Sequence, residues 1–186
     1  MTPAKPRKAR DIQILDALDA LPRTAFEGRV WRVVREGRDP TLGGPSSSRW
    51  CDGQFDILYT SLERDGAVAE IYAFLSMQPV FPSKMRWFGF ELEVRTQKTL
   101  RLADLAALQA HGVDIANYGD RRYARTQEIA DAAQFLGFDG LLAPSARGPG
   151  ANLMLFTSRL APDDVQLTAN AGDLIDWAAR RAKVAR

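Results

Sequence analysis

The chain contains one cysteine, Cys51, and one histidine, His111, in 186 residues. A single thiol forms no intrachain disulfide, so the fold rests on its core, as suits a reducing compartment. The same scarcity removes the ligand set of a structural zinc site, and no metal is expected. Any serine nucleophile would have to take its base from His111, which sits at the end of a short expected helix and reads better as a C-terminal dipole partner or surface residue. Charge of one sign is lacking too. The 25 Lys and Arg against 23 Asp and Glu leave a net charge of +2, which excludes a chain-wide field for non-specific nucleic-acid binding. Basic residues cluster only between Lys5 and Arg10; this stretch reads as a solvated tail, and no direct nucleic-acid binding is expected. No run approaches the roughly eighteen apolar residues of a membrane span, and the N-terminus has no apolar signal core, so a cytoplasmic protein with no membrane partner is expected.

What is present suits one globular domain: 46% of residues are hydrophobic and 26% charged. Ile12, Leu15, Leu18 and Leu21 recur at helical spacing, which predicts a helix over 9–21 closed by Pro22. Residues 28–35 alternate as a strand, followed by a Gly/Pro/Ser loop over 36–48 and a second strand over 55–60. A helix is predicted from Ser61, as N-cap, through Met77, ended by Pro79. Residues 87–94 alternate strictly, with Phe88, Phe90, Leu92 and Val94 on one face. Helices over 103–111 and 122–136 each stop at a glycine, Gly112 and Gly137. Strands over 138–143 and 152–157 flank a glycine turn, and a terminal helix is predicted over 172–184. The order lacks the regular alternation of a doubly wound fold, so the expectation is α+β, one mixed central sheet with surrounding helices.

Five features bear on chemistry. The turn Ser145-Ala146-Arg147-Gly148-Pro149-Gly150 leads into a strand rather than a helix, so it is not an ordinary phosphate loop, and on its own it reads as a connection between strands. Arg32 shares a strand side with Val30 and Val34, whereas Trp31 and Val33 occupy the other side with Arg29 and Arg35; the pattern leaves open which side is core. Glu70 lies at the border of its helix's apolar stripe, where a carboxylate becomes half buried. Tyr59 shares a strand face with Phe55 and Ile57, as core packing or as a platform for a ligand ring. Arg49 precedes Trp50 at the end of the long loop, as a surface arginine over a buried indole.

Taken together, these fragments resemble the RES domain family, named for an arginine, a glutamate and a serine that meet in the fold. The matching pieces are Trp31-Arg32-Val33-Val34-Arg35, Ser48-Arg49-Trp50, Leu58-Tyr59-Thr60-Ser61 followed by Ala67-Val68-Ala69-Glu70, and Pro144-Ser145-Ala146-Arg147 with Gly150-Ala151-Asn152-Leu153. The family usually has Arg-Trp-Asn after two glycines, where this chain has Ser-Ser-Arg49-Trp50-Cys51. The resemblance implies a catalytic core over 28–160, preceded by a tail and helix over 1–27 and followed by a strand and helix over 161–186. It implies an ADP-ribosyltransferase-like fold, NAD as substrate, and a toxin restrained by a cognate antitoxin with an Xre-type DNA-binding region. On that basis Glu70 and Arg32 would be the catalytic pair: Glu70 would stabilise the cation formed when the nicotinamide–ribose bond breaks, and Arg32, with Arg49, would grip the pyrophosphate. Tyr59, Ser145 and Asn152 would complete the NAD-binding set. Transfer of ADP-ribose to a target protein is the acceptor chemistry expected first, ahead of NAD glycohydrolase or phosphorylase activity; a non-catalytic binding module is the alternative outside enzymes.

Overall fold

A computed structural model describes residues 9–168 and 171–184; Lys5, Arg7 and Lys8 of the basic cluster lie outside the described residues. In chain order the elements are α1 (Ile12–Asp19), β1 (Thr24–Arg35), β2 (Ser47–Ser48), β3 (Cys51–Asp52), β4 (Ile57–Ser61), α2 (Arg64–Leu75) and β5 (Trp87–Arg101). Then come α3 (Leu105–Ala110), α4 (Ala124–Phe135), β6 (Gly140–Pro144), β7 (Ala151–Phe156), β8 (Val165–Leu167), β9 (Asp173–Leu174) and α5 (Trp177–Val184). The architecture is α+β around a mixed sheet.

The sheet runs β1-β4-β7-β6-β5-β8, and β5 also pairs with β1 from Thr24↔Thr99 to Arg35↔Trp87, so it closes on itself. All these pairings are antiparallel except β5 with β6 at Thr99–Arg101, where a crossover containing α3 and α4 is required. Both faces of the central strands are buried. Along β7, Leu153 and Leu155 join Val30, Leu58, Leu92 and Leu142 in one cluster, while Met154 and Phe156 join Trp50, Leu100, Ile129 and Phe138 in another. That is why Asn152-Leu153-Met154-Leu155-Phe156 reads as an unbroken apolar run: each large apolar side chain removed from water contributes roughly 1.5–3 kcal/mol. A third cluster packs Ala67, Val68 and Leu75 of α2 against Val33, Ile175 and Trp177.

β1 answers the question its pattern left open, because both sides are core. Val30 is buried in the second cluster and Val33 in the third. Several boundaries differ from expectation: β1 begins at Thr24 rather than at 28, and β5 runs on to Arg101 rather than ending at 94. Ser61 ends β4, paired with Asn152 and with its hydroxyl donating to Ala151 O, so the N-cap of α2 falls at Glu63; the helix start lies so close that a Cβ at Gly66 would overlap Ser61 Oγ. The helix ends at Leu75, short of Met77 and Pro79. The terminal helix predicted over 172–184 is shorter; Asp173–Leu174 pairs instead with Phe88 and Gly89 of β5, and α5 begins at Trp177. Edge pairing there overrides local helix propensity.

Candidate functional site

α2 presents Glu70 to the end of the β6–β7 hairpin. Ser145 Oγ donates to Glu70 Oε1 at 2.9 Å, and Asn152 Nδ2 donates to the same oxygen at 2.8 Å. The hairpin register, with Ala143 opposite Asn152 and Pro144 opposite Ala151, places both donors on one side of the carboxylate. Ser145 Oγ accepts from Arg147 N at 3.1 Å, which directs its own hydrogen to Glu70. The turn is closed by Ser145 N donating to Gly150 O at 3.0 Å, with Gly150 at φ +102°, a conformation glycine adopts without steric cost. Among the described residues no hydrogen bond reaches Glu70 Oε2, and the buried Asn152 Oδ1 has no partner. The site therefore holds a carboxylate oriented by two neutral donors, with one oxygen and one amide acceptor left for an incoming group.

Arg49 occupies the tip between β2 and β3. Its guanidinium lies 4.6 Å from the Tyr118 ring centroid and 4.8 Å from that of Tyr123, and Nη2 donates to Asp120 O at 3.1 Å. The neighbouring indole of Trp50 is buried in the core, as expected, whereas the arginine itself packs between the two tyrosine rings. Burial lowers the Arg49 pKa, opposed by Tyr118 and Tyr123 and, more weakly, by Glu70. Tyr59 is tied by its hydroxyl, which accepts from Trp50 N at 2.7 Å and from Ser48 Oγ at 2.9 Å. Burial raises its pKa strongly. The segment between α3 and α4 crosses this region: Tyr118 Oη donates to Pro144 O at 2.8 Å, Arg147 Nη1 to Gly119 O at 2.9 Å, and Arg121 Nη2 to Ala73 O, one turn after Glu70, at 3.4 Å. An open cleft of ≈ 470 Å³ beside it is lined by Ala103, Leu105, Tyr118, Ser145 and Gly148.

Tyr118 makes the region sensitive to alkali. Burial pushes its pKa up from 10.0 to about 12, against the pull of Arg49. Between those values the unfolded chain loses a proton that the folded chain keeps, so stability falls as pH rises above 10. We expect Tyr118→Phe to remove roughly 1 kcal/mol of the stability loss at pH 11, read from denaturant melts at pH 8 and pH 11.

Arg32 lies elsewhere. Its Nη1 donates to Pro40 O at 2.7 Å and Leu42 O at 2.6 Å, and it lines a second cleft of ≈ 420 Å³ with Arg38, Ile71 and Trp87. Burial and the neighbouring Arg38 lower its pKa to about 10, so it stays charged at neutral pH. Glu70, Ser145 and Asn152 are joined by hydrogen bonds, Arg49 stands close enough to act on Glu70 electrostatically, and Arg32 is bonded to neither Glu70 nor Ser145. His111 caps α3, and its carbonyl accepts from Arg125 Nε at 2.7 Å; no hydrogen bond links it to Ser145. Tyr118 and Tyr123 are the neighbours that sequence reasoning passed over. Their signal was the polar, aromatic stretch Tyr118-Gly119-Asp120-Arg121-Arg122-Tyr123 between two helices.

Among the described residues, no group of three or more His, Cys, Asp or Glu side chains is placed to hold a metal ion, and no helix is long and apolar enough to cross a membrane. The closed mixed sheet and the Glu70–Ser145–Asn152 triangle define an α+β protein with a carboxylate-centred polar site at one end of a β-hairpin. The chain belongs to the RES domain family, whose model matches residues 29–177. No curated protein matches it. Among solved structures, it is similar to a chain of the crystal structure of the M. tuberculosis MbcT–MbcA toxin–antitoxin complex. The identity is 20%, the TM-score 0.80, and the match covers 96% of this chain and 100% of that one.

Proposed function

We propose that this protein is the toxin of a toxin–antitoxin pair and cleaves the nicotinamide–ribose bond of NAD. The observation supporting this most directly is Glu70, half buried, held at Oε1 by Ser145 and Asn152 and open at Oε2. The carbon–nitrogen bond breaks with its electron pair leaving on nicotinamide, and the ribose becomes oxocarbenium-like. A fixed carboxylate stabilises that charge more strongly in a poorly solvated site than in water. Arg49 and Arg147 supply charged donors for the pyrophosphate, and Arg32 extends this set from its own cleft. The ring of Tyr59 and the amide of Asn152 complete the substrate-binding group.

The segment spanning Tyr118 to Arg121 is fastened to α2, to Arg49 and to the Ser145 turn. Such a cover favours a small acceptor over a protein side chain. Water attacking the anomeric carbon and releasing a proton gives ADP-ribose; phosphate gives ADP-ribose 1″-phosphate. The similarity to a chain from a toxin–antitoxin complex supports a cognate antitoxin, with an Xre-type DNA-binding region as the family resemblance implies.

The test incubates purified protein with NAD, with and without phosphate and with a cell extract, and follows nicotinamide together with protein-bound ADP-ribose. Nicotinamide release without labelled protein is expected. A labelled band would assign the acceptor to a protein; absence of nicotinamide release from folded protein in every condition would overturn the reading.

A further inference from the structure

We propose that Thr126 and Gln127, in the first turn of α4, are positioning residues that set the Arg49 guanidinium by clamping the main chain on which it rides. The inference rests on the reading of Arg49 as a ligand-gripping group. β2 and β3 are two residues each, paired only as Ser47↔Asp52 and Ser48↔Cys51. An isolated hairpin of that size is not stable in water, so its conformation must be imposed from outside.

α4 imposes it from one side. Gln127 Nε2 donates to Ser48 O at 2.8 Å and to Cys51 O at 3.1 Å, spanning the tip, and Thr126 Oγ1 donates to Arg49 O at 2.6 Å. Thr126 is buried, with 1% exposure. From the other side the Tyr59 hydroxyl accepts from Ser48 Oγ and Trp50 N, while the side chains of Trp50 and Cys51 are buried in the core. Each main-chain carbonyl from Ser48 to Cys51, Trp50 apart, thus meets a side-chain donor of α4. Tyr123, whose ring receives the Arg49 guanidinium, is the N-cap of the same helix, and Thr126 Oγ1 also lies 3.0 Å from Tyr123 O. One helix terminus therefore sets both the backbone under the arginine and one of the rings beside its charge. Loss of a donor leaves a buried carbonyl unsatisfied, and the hairpin relaxes away from α4.

The variants are Gln127→Leu and Thr126→Val, which remove donors at similar volume, and Thr126→Ser, which keeps the hydroxyl. Two readouts are used: ADP-ribose affinity by calorimetry, and the labelling rate of Cys51 by an aromatic disulfide in native protein. Cys51 is the sole cysteine and is fully buried, so labelling reports opening of the hairpin whether or not a ligand binds. Thr126→Val, which removes one hydrogen bond to the hairpin, and Gln127→Leu, which removes two, are expected to weaken ADP-ribose binding and to accelerate labelling by about tenfold or more. Thr126→Ser should restore both to within about twofold of the parent protein. In an Arg49→Ala background the clamp variants should weaken binding no further, since their effect passes through that side chain. Unchanged labelling in both variants overturns the clamp. Faster labelling with unchanged affinity, or affinity losses that add to Arg49→Ala, overturns its assignment to Arg49. If the parent protein does not bind ADP-ribose, the NAD reading fails while labelling still decides the clamp. If Gln127→Leu does not fold, the Thr126→Val and Thr126→Ser pair decides alone.

Discussion

Glu70→Gln is expected to leave a folded protein whose NAD cleavage is slower by two to three orders of magnitude, roughly 3–4 kcal/mol of lost transition-state stabilisation. Glutamine keeps the shape and an oxygen able to accept from Ser145 Oγ and Asn152 Nδ2, so the hairpin contact survives. What disappears is the negative charge facing the cationic ribose. Because the Ser145 hydroxyl is already committed to Arg147 N as acceptor and Glu70 as donor target, it has no arrangement that replaces that charge. Nicotinamide release measured beside a thermal melt checks the result. Parent-like turnover in a folded Glu70→Gln protein would remove the carboxylate from the mechanism.

Asp139→Ala should give the largest loss of stability from a polar substitution. Asp139 is 8% exposed and holds the bulge in β5, where the register against β1 shifts between Thr96 and Thr99: Oδ2 accepts from Gln97 N and Lys98 N, both at 2.7 Å, and Oδ1 meets Thr99 Oγ1 at 3.5 Å. Its own main chain bonds Lys98 O and Phe156 N, so one residue joins the strand that closes the sheet to the hairpin bearing the site. Removing the carboxylate strands two amide donors at a cost of about 3 kcal/mol. For a chain of this size the melting temperature should drop by roughly 6–12 °C. Turnover well below the transition should be close to that of the parent protein, since Asp139 makes no contact with Glu70, Ser145 or Asn152. A melt within about 2 °C of the parent would show that the bulge holds without this carboxylate.

The contrast between these residues shows what the sequence makes legible. Glu70, Ser145 and Asn152 lie far apart in the chain, yet each stands at an odd place in a local pattern: a carboxylate on an apolar border, a serine before a glycine turn, an amide opening an apolar run. Family resemblance then linked them. Arg32 was equally visible, but its partners, the carbonyls of Pro40 and Leu42, belong to an irregular loop with no period to read. Asp139 and Gln127 gave no signal, since their work is done on main-chain groups whose location depends on sheet closure. The overall α+β class followed from element order, whereas β9 did not, because a two-residue edge strand draws its stability from β5.

The crossover between β5 and β6 spans Leu102 to Asp139 and carries the segment bonded to the surroundings of the carboxylate, yet the barrel-like sheet does not depend on that segment for any of its ladders. Its bonds to the site end on Ala73, Arg49, Pro144 and Arg147. Within this segment Val113 and Tyr118 belong to the core, so the exchangeable part is the exposed stretch from Gly119 to Arg122: replacing it would change what reaches the severed bond and leave Glu70, Ser145 and Asn152 joined.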